Sequence, residues 1–250
     1  MSIITISRGS YSRGKEVAES LASKLNYDCV SREIILEASR EFDIPEIKLM
    51  RALQDPVSIL DRFHNGKERY VNFFRSALLN YLKKDNVLYH GLAGHFFLQD
   101  IPRVLKVRIN TNIEDRVREE MMQENISSEQ ARYMLIKDDE ERRKWGLHLY
   151  GRDTSDSKYY DMVINLTQVS VDDAVQTLYD VSQRPAFQVT VESKKLFAEA
   201  ALIADIKARI FEYVPKPSIT IENGVVQLHN IDEQGSKKPL LKSKIEEVLG

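Results

Sequence analysis

Cysteine is nearly missing from this 250-residue chain. With Cys29 as its one thiol, no intramolecular disulfide can form and no cysteine-based zinc site can be built. That fits a reducing compartment, with Cys29 as a buried core thiol. Charge of one sign is missing as well: 36 Lys and Arg against 38 Asp and Glu leave a formal net charge of −2. No overall basic field points to nucleic acid or to an anionic membrane, and any phosphate chemistry must come from local charge. No apolar run approaches the roughly 18 residues of a membrane span, and the N-terminal MSIITISRGS has no basic stretch leading into a long apolar one. The expectation is a cytoplasmic protein without a membrane span and without a nucleic-acid partner. Repeats and low-complexity tracts are also lacking. What is present, 42% hydrophobic and 30% charged residues, suffices for one large domain or a medium domain plus a small one.

Along the chain, Ile3, Ile4, Thr5 and Ile6 form a short β-branched run that ends in a Ser/Arg/Gly cluster. A helical pattern of Val17, Ala18, Leu21, Ala22 and Leu25 follows, giving strand, loop, helix. Tyr27 to Val30 and a helical stretch from Arg32 to about Glu41 repeat the alternation. Residues 44 to 85 show helical spacing only. Asn86 to His90, Val104 to Ile109 and Asp161 to Asn165 read as further strands, with charged helical sequence over 112 to 146. Strands alternating with helices over about 180 residues predict an α/β fold, a parallel sheet covered on both faces. In such folds phosphate ligands bind at the carboxyl ends of the strands.

Gly9-Ser10-Tyr11-Ser12-Arg13-Gly14-Lys15 fits G-x-x-x-x-G-K directly after a predicted strand and before a predicted helix. Small residues let backbone N–H groups wrap a phosphate at a helix N-terminus, and the lysine bridges the outer phosphate oxygens. Glu16 stands where Ser or Thr normally helps hold Mg²⁺. Its carboxylate either turns outward as a first-turn helix residue or touches the metal through water, and the outward reading is preferred. No acidic residue follows the strand 86 to 90 to supply a second metal anchor. Downstream, the charge run Lys137-Asp138-Asp139-Glu140-Glu141-Arg142-Arg143-Lys144 would by itself be a solvated helix face. Behind a phosphate loop it reads as a kinase lid, whose arginines close over the transferred phosphoryl group; Arg142 is the first choice and Arg143 the second. His90 and His95, with no metal-ligand spacing around them, read as structural, and Trp145 and Tyr150 as packing beneath the lid helix.

ISRGSYSRGKEVAESLASKL, HGLAGHFFL, NIEDRVREEMM and DDEERRKWGLHLYGRDTSDSKYYDMVIN, in that order, resemble the cytidylate kinase-like family of P-loop nucleoside monophosphate kinases. Asp139, Arg142, Gly151, Asp156, Tyr160, Asp161 and Asn165 fall in register with it. The resemblance covers about residues 1 to 181 and implies a P-loop kinase three-layer fold with a parallel sheet and a helical lid. It implies transfer of the ATP γ-phosphoryl group to a nucleoside monophosphate, CMP or dCMP by default, with ATP and Mg²⁺ as cofactors and nucleotides as partners. Carried over by position, the loop Gly9 to Glu16 holds the nucleotide, with Gly14 and Lys15 on its phosphates. Arg116 lies near it at the lid base, and Arg142 acts from the lid. Arg32, Asp139 and Asp161 fall to the acceptor. Ser31 stands where the family usually has Asp, and Gly91-Leu92 where a Gly-Arg pair is common. Together with Glu16, these departures keep a second reading open: a nucleotide-binding sensor or scaffold that transfers poorly.

SQRP at 182 to 185 reads as a linker, dividing a domain of residues 1 to 183 from one of 187 to 250. The latter is predicted as a long helix (about Ser193 to Tyr213), a hairpin of Ser218 to Ile221 and Val225 to Leu228 around Asn223-Gly224, and a last helix. Its apolar sheet face is assigned to Ile219, Ile221 and Val225. The stretches 204 to 209, 217 to 228 and 242 to 249 resemble a BON domain, a small α+β module that lacks its last strand here. That resemblance implies regulation, or a homo-oligomer formed through this domain.

Overall fold

The computed structural model describes residues 3–9, 12–31, 33–43, 66–91, 94–214, 217–222, 224–229 and 238–249. Ser10, Tyr11, Arg32, Leu92 and the stretch 44–65 lie outside them, so the expectations placed on those residues have no structural counterpart. The chain forms two compact units. One takes 1–32 with 84–190, and the other takes 33–83 with 191–250.

The first unit is built on five parallel strands: β1 (Ile3–Arg8), β2 (Asp28–Val30), β3 (Val87–His90), β4 (Val104–Asn110) and β5 (Met162–Asn165), in the order β2-β3-β1-β4-β5. The run Ile3 to Ile6 is central because it is apolar on both faces; Ile3 pairs in register with Val87 on one side and Val104 on the other. Helix α1 (Gly14–Leu25) buries Val17, Ala18, Leu21 and Ala22 against this sheet and stops at Asn26, a left-handed residue whose N–H meets the Ala22 and Ser23 carbonyls. The core continues through Leu88, Leu105, Val107 and Ile109 to Ala174, Val175 and Leu178, borne on a later helix.

After β4 come the lid helices. The predicted helical stretch divides in two. In α4 (Ile113–Glu124) the Asn112 side chain accepts from the Asp115 N–H at 2.8 Å, and α5 (Ser128–Tyr150) opens on a reciprocal capping box of Ser127 and Gln130. Val117, Ala131 and Leu135 lock the two together. Helix α5 ends at Gly151 in the left-handed region. Within its last turns, a Cβ on Gly146 would stand 2.7 Å from the Thr154 methyl and 3.0 Å from the Arg152 carbonyl. The lid therefore meets the following loop through a contact only glycine fits. Beyond β5, α6 (Val171–Ser182) completes the unit.

The second unit draws on two distant parts of the chain. Helices α2 (Glu33–Glu41) and α3 (Gly66–Leu82) share it with α7 (Val191–Ile210), the hairpin β6 (Ser218–Glu222) and β7 (Val225–His229), and α8 (Lys238–Leu249). Phe73 stacks on Phe42 at 4.4 Å and meets Phe211 edge-on. Asp205 on α7 accepts from Ser76 on α3, and Arg209 pairs with Glu41 on α2. Segment 187–250 is thus packed on helices that precede the third strand. In the hairpin, Glu222 faces Val225 across the turn, so Val226, not Val225, shares the face of Ile221. That face accordingly carries Ile219, Ile221, Val226 and Leu228, with Ile219 buried, while Val225 is 59% exposed, a correction to the sequence-based assignment of Val225.

Candidate active site

The carboxyl end of β1 runs into the glycine loop, and the loop is tied down from both sides. Ser12 is buried and donates its hydroxyl to the Gly9 carbonyl at 3.0 Å; its own carbonyl accepts from Thr111 Oγ1, just past β4, at 3.0 Å. Gly14 has no room for a side chain. A Cβ there would lie 2.7 Å from Arg8 Cβ and 3.3 Å from Ile109 Cβ. Arg13 takes φ 55° and starts α1 without a side-chain cap, so the N–H groups of the first turn remain open to an oxyanion. Glu16 turns onto Arg13, accepting from its Nε at 2.8 Å and its Nη2 at 2.9 Å. That bond holds the Arg13 guanidinium above its ordinary pKa. Lys15 is exposed and stands 3.5 Å from Glu19.

The lid base reaches the loop through Arg116, which is 7% exposed and grips Asp139 at 2.6 and 3.0 Å. A Cβ on Gly9 would come within 3.6 Å of that Asp139 carboxylate. Asp139 is therefore at the site, with its carboxylate engaged by Arg116. Arg142 donates to the Arg8 carbonyl at 3.4 Å, and Arg143 lies 3.6 Å from Asp153. Asp161 is not brought to the site. Its carboxylate accepts from the Lys106 backbone N–H at 2.8 Å and pairs with Lys106 Nζ at 3.2 Å, just before β5 and so toward the amino ends of the strands. Phosphate loops work at the opposite edge.

Two clefts flank these groups. One, of about 710 Å³, runs along the loop and α1 and is lined by Ser12, Arg13, Lys15, Glu16 and Met122 among others. The other, of about 310 Å³, is bounded by Gly9, Gly91, Arg108, Arg143, Trp145 and Thr154. Arg8 and Arg142 line both. Burial, then Arg142, lowers the Arg8 pKa, and burial lowers that of Arg142 as well, with Arg116 and Arg108 adding to it against the pull of Asp138 and Asp139. A guanidinium remains protonated through such shifts, so both stay cationic. Sequence reasoning missed Arg108. Its signal was a cation interrupting the apolar strand 104 to 110 two residues before the carboxyl end. His95 is buried between Phe96 and Tyr160, and burial followed by Arg108 pushes its pKa down to about 3. It is neutral at physiological pH and packs as expected. Trp145 is likewise buried and meets Tyr150 edge-on.

The donor set suits a nucleoside triphosphate: an uncapped helix N-terminus, a lysine and three arginines around one loop. For Mg²⁺ the described residues offer no group of three acidic or imidazole ligands. That is compatible with an ion held mainly by phosphate oxygens and water, with Glu16 as the nearest carboxylate in the loop sequence.

Comparison with known proteins agrees with this geometry. The family model described as the cytidylate kinase-like family matches residues 3–168. A cytidylate kinase of Sulfolobus acidocaldarius is 24% identical over 169 residues, covering 67% of this chain and 87% of its own length. Among solved structures, an uncharacterized protein of Eubacterium ventriosum superposes with a TM-score of 0.56 at 20% identity, over 74% of this chain and 100% of that one.

Proposed function

The chain belongs to the cytidylate kinase-like family, and from that premise we propose that it transfers the γ-phosphoryl group of ATP to a nucleoside monophosphate, CMP or dCMP, in the cytoplasm. The observation that carries this reading is the meeting of loop and lid. Gly9, Ser12 and Lys15 of the loop and Arg142 of the lid line the two clefts, which share Arg8 and Arg142, and Arg116 lies beside Gly9. Phosphoryl transfer of this kind needs little covalent help from the protein; it needs alignment and neutralised charge. The α1 N–H groups and Lys15 hold the donor phosphates, and Arg116, fixed by Asp139, borders the nucleotide at the lid base. Arg142 neutralises the phosphoryl group in flight. When bound with ATP, Mg²⁺ would draw charge from the phosphate oxygens, while the Glu16 carboxylate stays on Arg13.

The test is chromatography of products from ATP·Mg²⁺ mixed in turn with CMP, dCMP, UMP, AMP and GMP. A nucleoside diphosphate formed from CMP or dCMP is the expected result. Lys15→Ala is expected to weaken ATP binding by about tenfold, the loss of one charged hydrogen bond. Unchanged affinity in calorimetry would remove the loop assignment.

A second reading has one observation in its favour. Several site cations already face a carboxylate: Lys15 and Glu19, Arg13 and Glu16, Arg116 and Asp139, Arg143 and Asp153. An incoming phosphate must compete with these, which favours a sensor or scaffold that binds nucleotide and transfers slowly. ATP binding without diphosphate formation selects it. For 187–250, the BON resemblance leads us to propose regulation through self-association. Light scattering of the full chain is expected to give at least twice the 28.9 kDa of one chain, and a monomer at all concentrations would refute that role.

A further inference from the structure

Arg108 lies on β4 against the smaller cleft, and nothing in the loop or lid chemistry uses it. Its Nη1 donates to the Thr154 carbonyl at 2.8 Å and approaches the Ser7 hydroxyl at 3.5 Å. The Tyr160 ring, 5.8 Å from the guanidinium carbon, backs it. Tyr160 is itself held by donating to Thr154 O at 2.6 Å and to Ser7 at 3.2 Å, so the platform behind Arg108 is fixed. These contacts engage one end of the guanidinium. The Tyr160 hydroxyl is a further neighbour of the guanidinium, and no carboxylate pairs with it among the described residues, which leaves its Nε and Nη2 edge, the edge that matches two oxygens of a phosphate, for a ligand.

Charge points the same way. Arg8, Arg108 and Arg142 all line this cleft, and among the described residues none of them has a carboxylate within ion-pair distance. The two carboxylates in the wall are committed elsewhere, Asp139 to Arg116 and Glu140 to Lys144 at 2.9 Å. Crowded, partly desolvated cations without countercharge are unfavourable alone and become favourable when a ligand brings the anion. The depressed pKa values of Arg8 and Arg142 express that strain.

We propose that the Nε and Nη2 edge of Arg108 binds the phosphate of the acceptor, a phosphomonoester dianion, and so fixes the acceptor in the smaller cleft. The larger cleft contains the loop residues Ser12 and Lys15 and is left to the donor. The clefts share Arg8 and Arg142, so an acceptor anchored at Arg108 presents its phosphate oxygens where the donor's terminal phosphate arrives. Trp145 supplies apolar wall for a ring-bearing acceptor. This inference rests on the kinase reading above.

The experiment measures steady-state kinetics of the full chain, together with calorimetric binding of CMP, of cytidine and of ATP separately. Arg108→Gln is expected to raise the acceptor KM about 10- to 100-fold, the loss of one charged bidentate pair, and to leave the ATP dissociation constant within about twofold. Arg108→Lys is expected to recover part of the loss. CMP is expected to bind the wild type well and Arg108→Gln poorly, whereas cytidine binds both weakly and equally. An unchanged acceptor KM in Arg108→Gln overturns the inference and leaves the kinase reading standing. Equal weakening of ATP and acceptor in both variants, with a lowered melting temperature, makes Arg108 a support for Thr154 and also overturns it. A wild type that phosphorylates no nucleoside monophosphate removes the kinase reading itself, and that failure appears before any variant is made.

Discussion

Arg142→Ala is expected to lower kcat by about 10²-fold or more while ATP binds nearly as before, a loss of at least about 2.7 kcal/mol of transition-state stabilisation. The reason lies in its position. Arg142 lines both clefts and, among the described residues, meets no carboxylate at ion-pair distance; its one hydrogen bond, to the Arg8 carbonyl, is 3.4 Å long. A cation held so loosely contributes little to the resting protein and much to a phosphoryl group in transit. Arg143 is a built-in comparison. It stands 3.6 Å from Asp153, and Arg143→Ala is expected to cost only a small part of the Arg142 effect. Rapid-quench measurement of the first turnover checks both, because it separates transfer from product release. Wild-type transfer in Arg142→Ala would reduce the charge run to a solvated helix face.

Removal of residues 187–250 is expected to abolish cooperative folding of what remains, instead of releasing an independent kinase. Helix α7 buries Phe197, Ala201, Ala204 and Ile210 in a unit whose other members, α2 and α3, come from 33–83. Without α7 and the residues after it, Phe73 loses Phe211, Ser76 loses Asp205 and Glu41 loses Arg209. Re-exposing a large buried side chain costs about 1.5–3 kcal/mol, so a few of them reach the roughly 5–15 kcal/mol by which a domain is stable. Melting curves by circular dichroism decide it. A monomeric 1–186 fragment with a sharp transition within a few degrees of the full chain would show that the first unit stands by itself.

The first unit was legible because its signals are local. Four β-branched or apolar residues before a glycine loop, and a helix period immediately after it, put β1, the loop and α1 where the structure has them. The lid helix was legible from its charge run, and the structure places Arg142 on it, lining both clefts. Arg108 was hidden because an alternating strand tolerates a cation on its open face, and nothing nearby in sequence announces the cleft that β4 borders. Asp161 shows the converse. Family register assigned it to the acceptor, yet the same residue type at the start of a strand also satisfies a neighbouring backbone N–H and a lysine, here Lys106. The composition shift at 182 to 185 marked where helices resume and could not reveal their partners. The pairing of α3 with α7 joins parts of the chain that no window of local periodicity spans.

That pairing also sets an order of events during synthesis. At about 5–20 residues per second, α3, ending at Leu82, leaves the ribosome several seconds before α7, beginning at Val191. Throughout that interval Phe73, Phe74, Ala77 and Leu78 have no α7 to cover them, while the strands from β3 to β5 are still arriving. The nascent chain thus carries an unburied apolar helix through more than a third of its own translation, and its yield in a cell depends on how well that helix is shielded until the carboxyl-terminal quarter appears.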